Sequence, residues 1–217
     1  MRRLTQQQLE THQWGAAKIL RGRTAGQDYK TYILSLMFFK RLRDRWDFEA
    51  DEKIDQLERE RGRPFTDAQR KALRPRGDIH RFTIPTGCHW SDVVGVAENM
   101  GQKLTTAMFG VANANKELVG VFTVDWNQPA PDGKGKLIAN EVVSAQVQHF
   151  HTVNLSSANV QPDVLGRACE HLVKQFADGA GAKAGEFFTP PEVVDLLVRI
   201  VKPAPGMRAE SACRPDW

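Results

Sequence analysis

Hydrophobic positions along this chain recur with the period of an α-helix far more often than with that of a strand. Leu9, Trp14, Ala16, Ala17 and Leu20 share one face of a first helix, which the run Arg21, Gly22, Arg23 and Gly26 brings to an end. A second helix, starting near Asp28, carries YILSLMFF from Tyr32 to Phe39. Ser35 is the only polar member of that run, so the helix should be buried on nearly every side, as the centre of a bundle. It continues into KRLRDRWD, Lys40 to Asp47, where the charges are expected to point outward while Leu42 and Trp46 keep the apolar spacing.

Residues 51 to 77 are charged and helix-prone, with a break at Gly62 and Pro64 and a restart marked by Thr66 and Gln69. They read as a protruding helical pair. FTIPTGCHW, Phe82 to Trp90, is extended, and Ser91 is expected to cap a helix reaching about Asn113. LVGVFTVDW is either a short strand or an apolar connection, and NQPAPDGKGK, Asn127 to Lys136, is a loop by composition. A further helix runs to about His151. Leu165, Cys169, Leu172, Val173 and Phe176 then define an amphipathic one.

The last pattern surrounds GEFFTPPEVVDLLVRIV, Gly185 to Val201. Thr189 suits an N-cap, Pro190 the first helical position, and Glu192 completes a capping box. Val193, Val194, Leu197, Ile200 and Val201 form one apolar face, expected to be core, and Pro203 and Pro205 stop the helix. The preceding GAGAKAG should be a mobile loop. Phe187 and Phe188, between that loop and the helix, either pin the loop to the core or close over something flat.

Strand signals are scarce, so the fold class is mainly α: a helical bundle up to about residue 155, joined to the opening helices of something else. Composition changes this picture little. At 217 residues and 41% hydrophobic content the chain can bury a core, and it has no apolar run long enough to span a bilayer. The N-terminus lacks a signal-peptide pattern, and a cytoplasmic location with no membrane partner is expected. Cys88, Cys169 and Cys213 have neither paired nor metal-type spacing and should be free thiols. His149 and His151 fall on different faces of their helix, which argues against a zinc site.

Charge alters the picture more. Between Arg59 and Arg81 there are eight Lys or Arg residues against three acids. Such an excess suits DNA, through counterion release, or is a solvated helical face. Arg59, Arg61, Arg63, Arg70, Lys71, Arg74 and Arg76 are the candidate DNA contacts.

WGAAKILRGRTAGQDYKTYILSLMFFKRLRD, Trp14 to Asp44, resembles the helical N-terminal domain of the methyltransferase (M, or HsdM) subunits of type I restriction-modification systems. VLGRACEHLVKQFA, Val164 to Ala177, followed by GEFFTPPEVVDLLVRIVKPAPGMR, resembles the opening of their catalytic domain. The resemblance makes residues 1–155 the helical N-terminal domain and 156–217 the first helices of an incomplete α/β domain, the start of an N6-adenine DNA methyltransferase domain. It implies S-adenosylmethionine as cofactor, with Glu186, Phe187, Phe188, Thr189, Pro190 and Pro191 as its contacts. The aromatic rings would then face an adenine and a sulfonium.

The partners implied are DNA, a specificity subunit, a restriction subunit and a second M subunit. Two departures stand against activity. After GMR the family continues with a strand and a DPACGSGG-like loop, whereas this chain reads AESACRPDW. The Asn-Pro-Pro-aromatic motif that grips a flipped adenine is absent, and Asn127, Gln128 and Pro129 lie upstream in a loop. The expectation is a truncated M subunit that is inactive alone and does not hold S-adenosylmethionine stably, with no catalytic residue and no metal site. The alternatives are a non-catalytic helical module that binds DNA or the specificity subunit, and an inert remnant with an exposed apolar helix.

Overall fold

The computed structural model describes residues 3–21, 29–178 and 191–204. It divides the chain into two compact units, residues 1–173 and residues 174–217. The first unit begins with α1 (Gln6–Leu20), whose N-cap Thr5 and third helical residue Gln8 close a reciprocal capping box. The 33-residue α2 (Tyr29–Arg61) follows, then the short α3 (Asp67–Leu73) and α4 (Trp90–Val94). Next come α5 (Met100–Ala114), a 3₁₀ turn (Lys116–Leu118), α6 (Asn140–His151) and α7 (Pro162–Asp178), which runs on into the second unit. The second unit contains α8 (Pro191–Val201). The described residues form no strand, only an isolated bridge between Pro129 and Lys136 inside the predicted loop.

The bundle is centred on α2 and α6. Tyr32, Ile33, Leu36, Met37 and Phe39 of α2 are buried, as the apolar run requires, and α6 touches α1, α2, α4 and α5. LVGVFTVDW resolves as a connection. Its alternating Phe122, Val124 and Trp126 are buried, with Phe122 against Phe38 and Phe39 and Trp126 edge-on to Tyr32 at 5.0 Å. The period-two pattern is therefore an extended segment facing a helical core, with no sheet to pair it.

The helix expected from Ser91 to Asn113 is two helices. Asp92 accepts a hydrogen bond from the His89 amide at 3.0 Å, so the cap is His89, and α4 ends at Gly95. The Asn140 side chain accepts from the Met100 amide at 2.8 Å and donates to the Ala97 carbonyl, sewing the break shut from α6. Asn99 holds a left-handed conformation at φ 54°, one that asparagine tolerates better than most residues. Trp14, placed on the apolar face of α1, is 43% exposed.

KRLRDRWD departs furthest from its sequence pattern. Lys40 and Arg41 do not point outward but are buried, at 4% and 8% exposure. Lys40 Nζ pairs with Asp44 at 2.5 Å and donates to the Val153 carbonyl at 2.7 Å. Arg41 donates to the carbonyls of Leu155 and Val160, and Asp44 accepts from the Leu155 amide at 2.7 Å. Burial pushes the Lys40 ammonium below its usual range, and Asp44 opposes that shift. These charges serve residues 153–160, an irregular segment whose backbone groups would otherwise lie unpaired against the bundle.

His149 and His151 do diverge. His151 Nδ1 accepts from Trp90 Nε1 of α4 at 3.2 Å, while His149 stacks on His12 of α1 at 3.9 Å and donates to the His12 carbonyl. Burial, and next the neighbouring His149 and Lys40, lower the His12 pKa from 6.5 to about 4. The fold favours the neutral ring, so the unfolded chain takes up the proton first. The stability His12 contributes is thus complete above pH 6.5 and declines as pH falls from 6.5 through 4. Urea midpoints should drop across that window and drop less in His12→Phe, which keeps the stacking surface. Parallel pH profiles would show that His12 is not the titrating group.

In α8, Val193, Val194, Leu197, Ile200 and Val201 share the expected face and Pro203 follows the helix end, yet all five residues are exposed, Ile200 at 67%. The face read as core has no cover among the described residues of its own unit. No described helix is long and apolar enough to cross a membrane.

Candidate nucleic-acid interface

The second half of α2 carries two charge patterns that interleave. Asp47, Asp51, Asp55 and Glu58 are spaced by four, four and three residues, so they stack as one acidic ladder along the helix. Arg45, Phe48, Glu49, Glu52, Lys53, Gln56 and Arg59 fall on a neighbouring stripe. Gly62, in the left-handed region at φ 73°, ends the helix, and Thr66 and Gln69 restart it in a capping box.

That restart delivers α3 to the acidic ladder. Arg70 reaches Asp55 at 2.8 Å and Glu58 at 2.7 Å, and Arg74, one turn on, pairs with Asp47 and Asp51. Glu58 also accepts from the Phe65 amide at 2.8 Å. The Arg70 hydrogen bonds, and secondly that amide, hold the Glu58 carboxyl below its usual range, while Glu58 and then Asp55 raise the Arg70 guanidinium. The helical pair is thus closed by charge matching, with no buried residue on α3.

This pairing redistributes the predicted DNA contacts. Arg70 and Arg74 are committed to carboxylates, and Arg76 is paired with Asp78 at 2.7 Å. Arg61 lies over the Phe65 ring at 4.9 Å. Arg59 donates only to the Asp55 carbonyl, at 3.2 Å, and keeps its charge unmatched. Arg63 and Lys71 make no ion pair with any described residue. A charge window opened at Arg59 missed this outcome because the neutralising acids lie before it, between Asp47 and Glu58.

The second stripe of α2 borders an open cleft of about 1230 Å³, completed by Gly62, Arg63 and Pro64 on one side and by Ile79, Arg81 and Ser157 on another. Arg59 and Arg63 belong to it, whereas Arg70, Lys71, Arg74 and Arg76 do not. Lys53, which the basic run did not include, lines it as well. Lys53 lies three residues before Gln56, which lies three before Arg59, and that chain of helical neighbours was the signal that would have found it. Among the described residues no cluster of His, Cys, Asp and Glu is arranged to hold a metal ion. The predicted cofactor contacts Glu186, Phe187, Phe188, Thr189 and Pro190 lie outside the described residues, and Pro191 opens α8.

Residues 9–150, which span the bundle from α1 to α6, match the HsdM N-terminal domain family. The chain belongs to that family. In this HsdM-family chain the N-6 DNA methylase family matches the following residues, 160–213. The chain is 26% identical over 215 positions to the type I restriction enzyme MpnII methylase subunit of Mycoplasma pneumoniae, covering 86% of this chain and 38% of that protein. Against the MjaIX methylase subunit of Methanocaldococcus jannaschii it is 22% identical, covering 95% and 37%.

The HsdM-family chain thus spans a little over a third of the length of these relatives. Its fold is similar to a crystal structure of the methyltransferase subunit of a type I restriction-modification system from Streptococcus thermophilus, with a TM-score of 0.64 at 22% identity, over 90% of this chain and 44% of that one. The N-6 DNA methylase family uses S-adenosylmethionine as methyl donor.

Proposed function

We propose that this chain serves as the N-terminal part of a type I M subunit, a helical body up to about residue 155 followed by the start of the adenine methyltransferase domain. In that reading the subunit acts with a specificity subunit, which names the target, and with a restriction subunit. It transfers a methyl group from S-adenosylmethionine to N6 of adenine in DNA. The observation that carries it is the order of the two family matches, residues 9–150 and then 160–213.

Transfer needs a positioned donor, an extruded base and an oriented amine. The 217 residues contain neither a DPACGSGG-like loop nor an Asn-Pro-Pro-aromatic motif. The chain by itself should therefore leave DNA unmethylated, and Phe187 and Phe188 should need the rest of a methyltransferase domain before they hold the donor. The purified chain is tested with labelled S-adenosylmethionine and DNA, and by calorimetric titration of the donor. Expected are no label above a no-protein control and no saturable heat. Methylated DNA, or a stoichiometric donor site, overturns this part of the reading.

A non-catalytic role in DNA binding gains from the cleft along α2, where cations without carboxylate partners collect. This helical body is expected to bind duplex DNA weakly, with an affinity that falls steeply as salt rises.

A further inference from the structure

We propose that the open cleft along the second half of α2 is a track for the sugar-phosphate backbone of DNA, with Lys53, Arg59, Arg63 and Arg81 as its phosphate contacts. The proposal rests on the reading that this body faces DNA, and it moves the contact away from α3, where the basic run is densest.

Four observations carry it. First, three cations on the cleft walls keep their charge unmatched: Lys53 donates to Gln56 at 3.2 Å, Arg59 to a backbone carbonyl, and Arg63 to no described residue. Arg81 is 79% exposed and approaches Glu49 only to 3.9 Å. Second, the acids on the same walls are already engaged. Arg70 takes Asp55 and Glu58, and Arg45 takes Glu49 at 2.9 Å. Glu52 is then the unpaired carboxylate among the described lining residues.

Third, the positive groups are spread out. Lys53 and Arg59 are separated by roughly 9 Å along the helix axis, at about 1.5 Å per residue. A compact anion meets one such group at a time, whereas a chain of phosphates meets them in series. Fourth, the cleft is open and about 1230 Å³ in volume, which suits an extended polymer passing through. α3 has a role here too: Arg70, bridging Asp55 and Glu58, offsets one of the two negative charges that would repel the polyanion.

The test uses the whole chain and a fluorescent duplex oligonucleotide of arbitrary sequence, titrated by anisotropy across a salt series. Arg59→Gln with Arg63→Gln should weaken binding and flatten the dependence of log affinity on log salt by about 0.9 per arginine. Lys116→Gln with Lys134→Gln removes the same charge from exposed sites outside the cleft and should leave the slope unchanged. Glu52→Gln should tighten binding about two- to fivefold, the scale of one exposed charge interaction, a gain that unfolding cannot produce. Equal losses in the two double variants, or cleft variants that bind as the parent does, would overturn the cleft assignment and leave the DNA-facing reading standing. Absence of salt-dependent DNA binding by the parent chain would overturn both.

Discussion

Asp44→Ala should lower folding stability by about 3–5 kcal/mol, the cost of stranding one partner of a buried ion pair. Asp44 accepts from Lys40, which is 4% exposed, and from the Leu155 amide at 2.7 Å. Alanine leaves the ammonium facing the core with the Val153 carbonyl and the face of the Trp90 ring but no counter-charge, and leaves the Leu155 amide with no acceptor. Urea unfolding followed by circular dichroism measures the loss. The half-buried pair Arg45 and Glu49, which borders the open cleft, provides the contrast, because Arg45→Ala should cost no more than about 1 kcal/mol. The double change Lys40→Met, Asp44→Leu should recover part of the loss but not all, since Val153 and Leu155 still lose their partners. If Asp44→Ala costs no more than Arg45→Ala, the network is not what holds residues 153–160 to the bundle.

Gly101→Ala tests the second tight point. In an ordinary helix interior this change stabilises, by about 1 kcal/mol. Here the sign should reverse, with a net loss of about 1–3 kcal/mol, because overpacking against backbone cannot be relieved by a rotamer change. A Cβ at residue 101 would collide with the Trp126 carbonyl oxygen and lie 3.0 Å from its carbon. Making room means moving the Trp126 backbone, whose amide donates to Thr105 Oγ1 at 2.9 Å and whose ring is buried against Tyr32. Gly166, within α7, is the matched control: a Cβ there meets nothing within 4 Å, and Gly166→Ala should stabilise by about 0.4–1 kcal/mol. Gains of equal size at both positions would mean that α5 does not approach the 122–126 segment so closely.

Both predictions concern contacts between segments far apart in sequence, and those are the contacts that periodicity does not report. The apolar run Tyr32–Phe39 was legible as a buried helix because burial on all sides leaves no polar position to interrupt it. KRLRDRWD was misread by the same logic. A charged residue is assigned to solvent unless a partner is known, and the partners of Lys40 and Arg41 are backbone carbonyls more than a hundred residues away. The basic run between Arg59 and Arg81 met a related limit. Its density is a property of the sequence, whereas its availability depends on which acids of α2 come within reach of α3.

The sequence by itself determined the helical class, most helix starts and stops and the order of the two family segments, because capping chemistry and apolar period act over a few residues. Tertiary structure alone decided which charges are spent inside the fold and which remain for a partner, and where α5 meets the backbone of the 122–126 segment. Coulomb attraction and steric exclusion act through space, so side chains remote along the chain settle them.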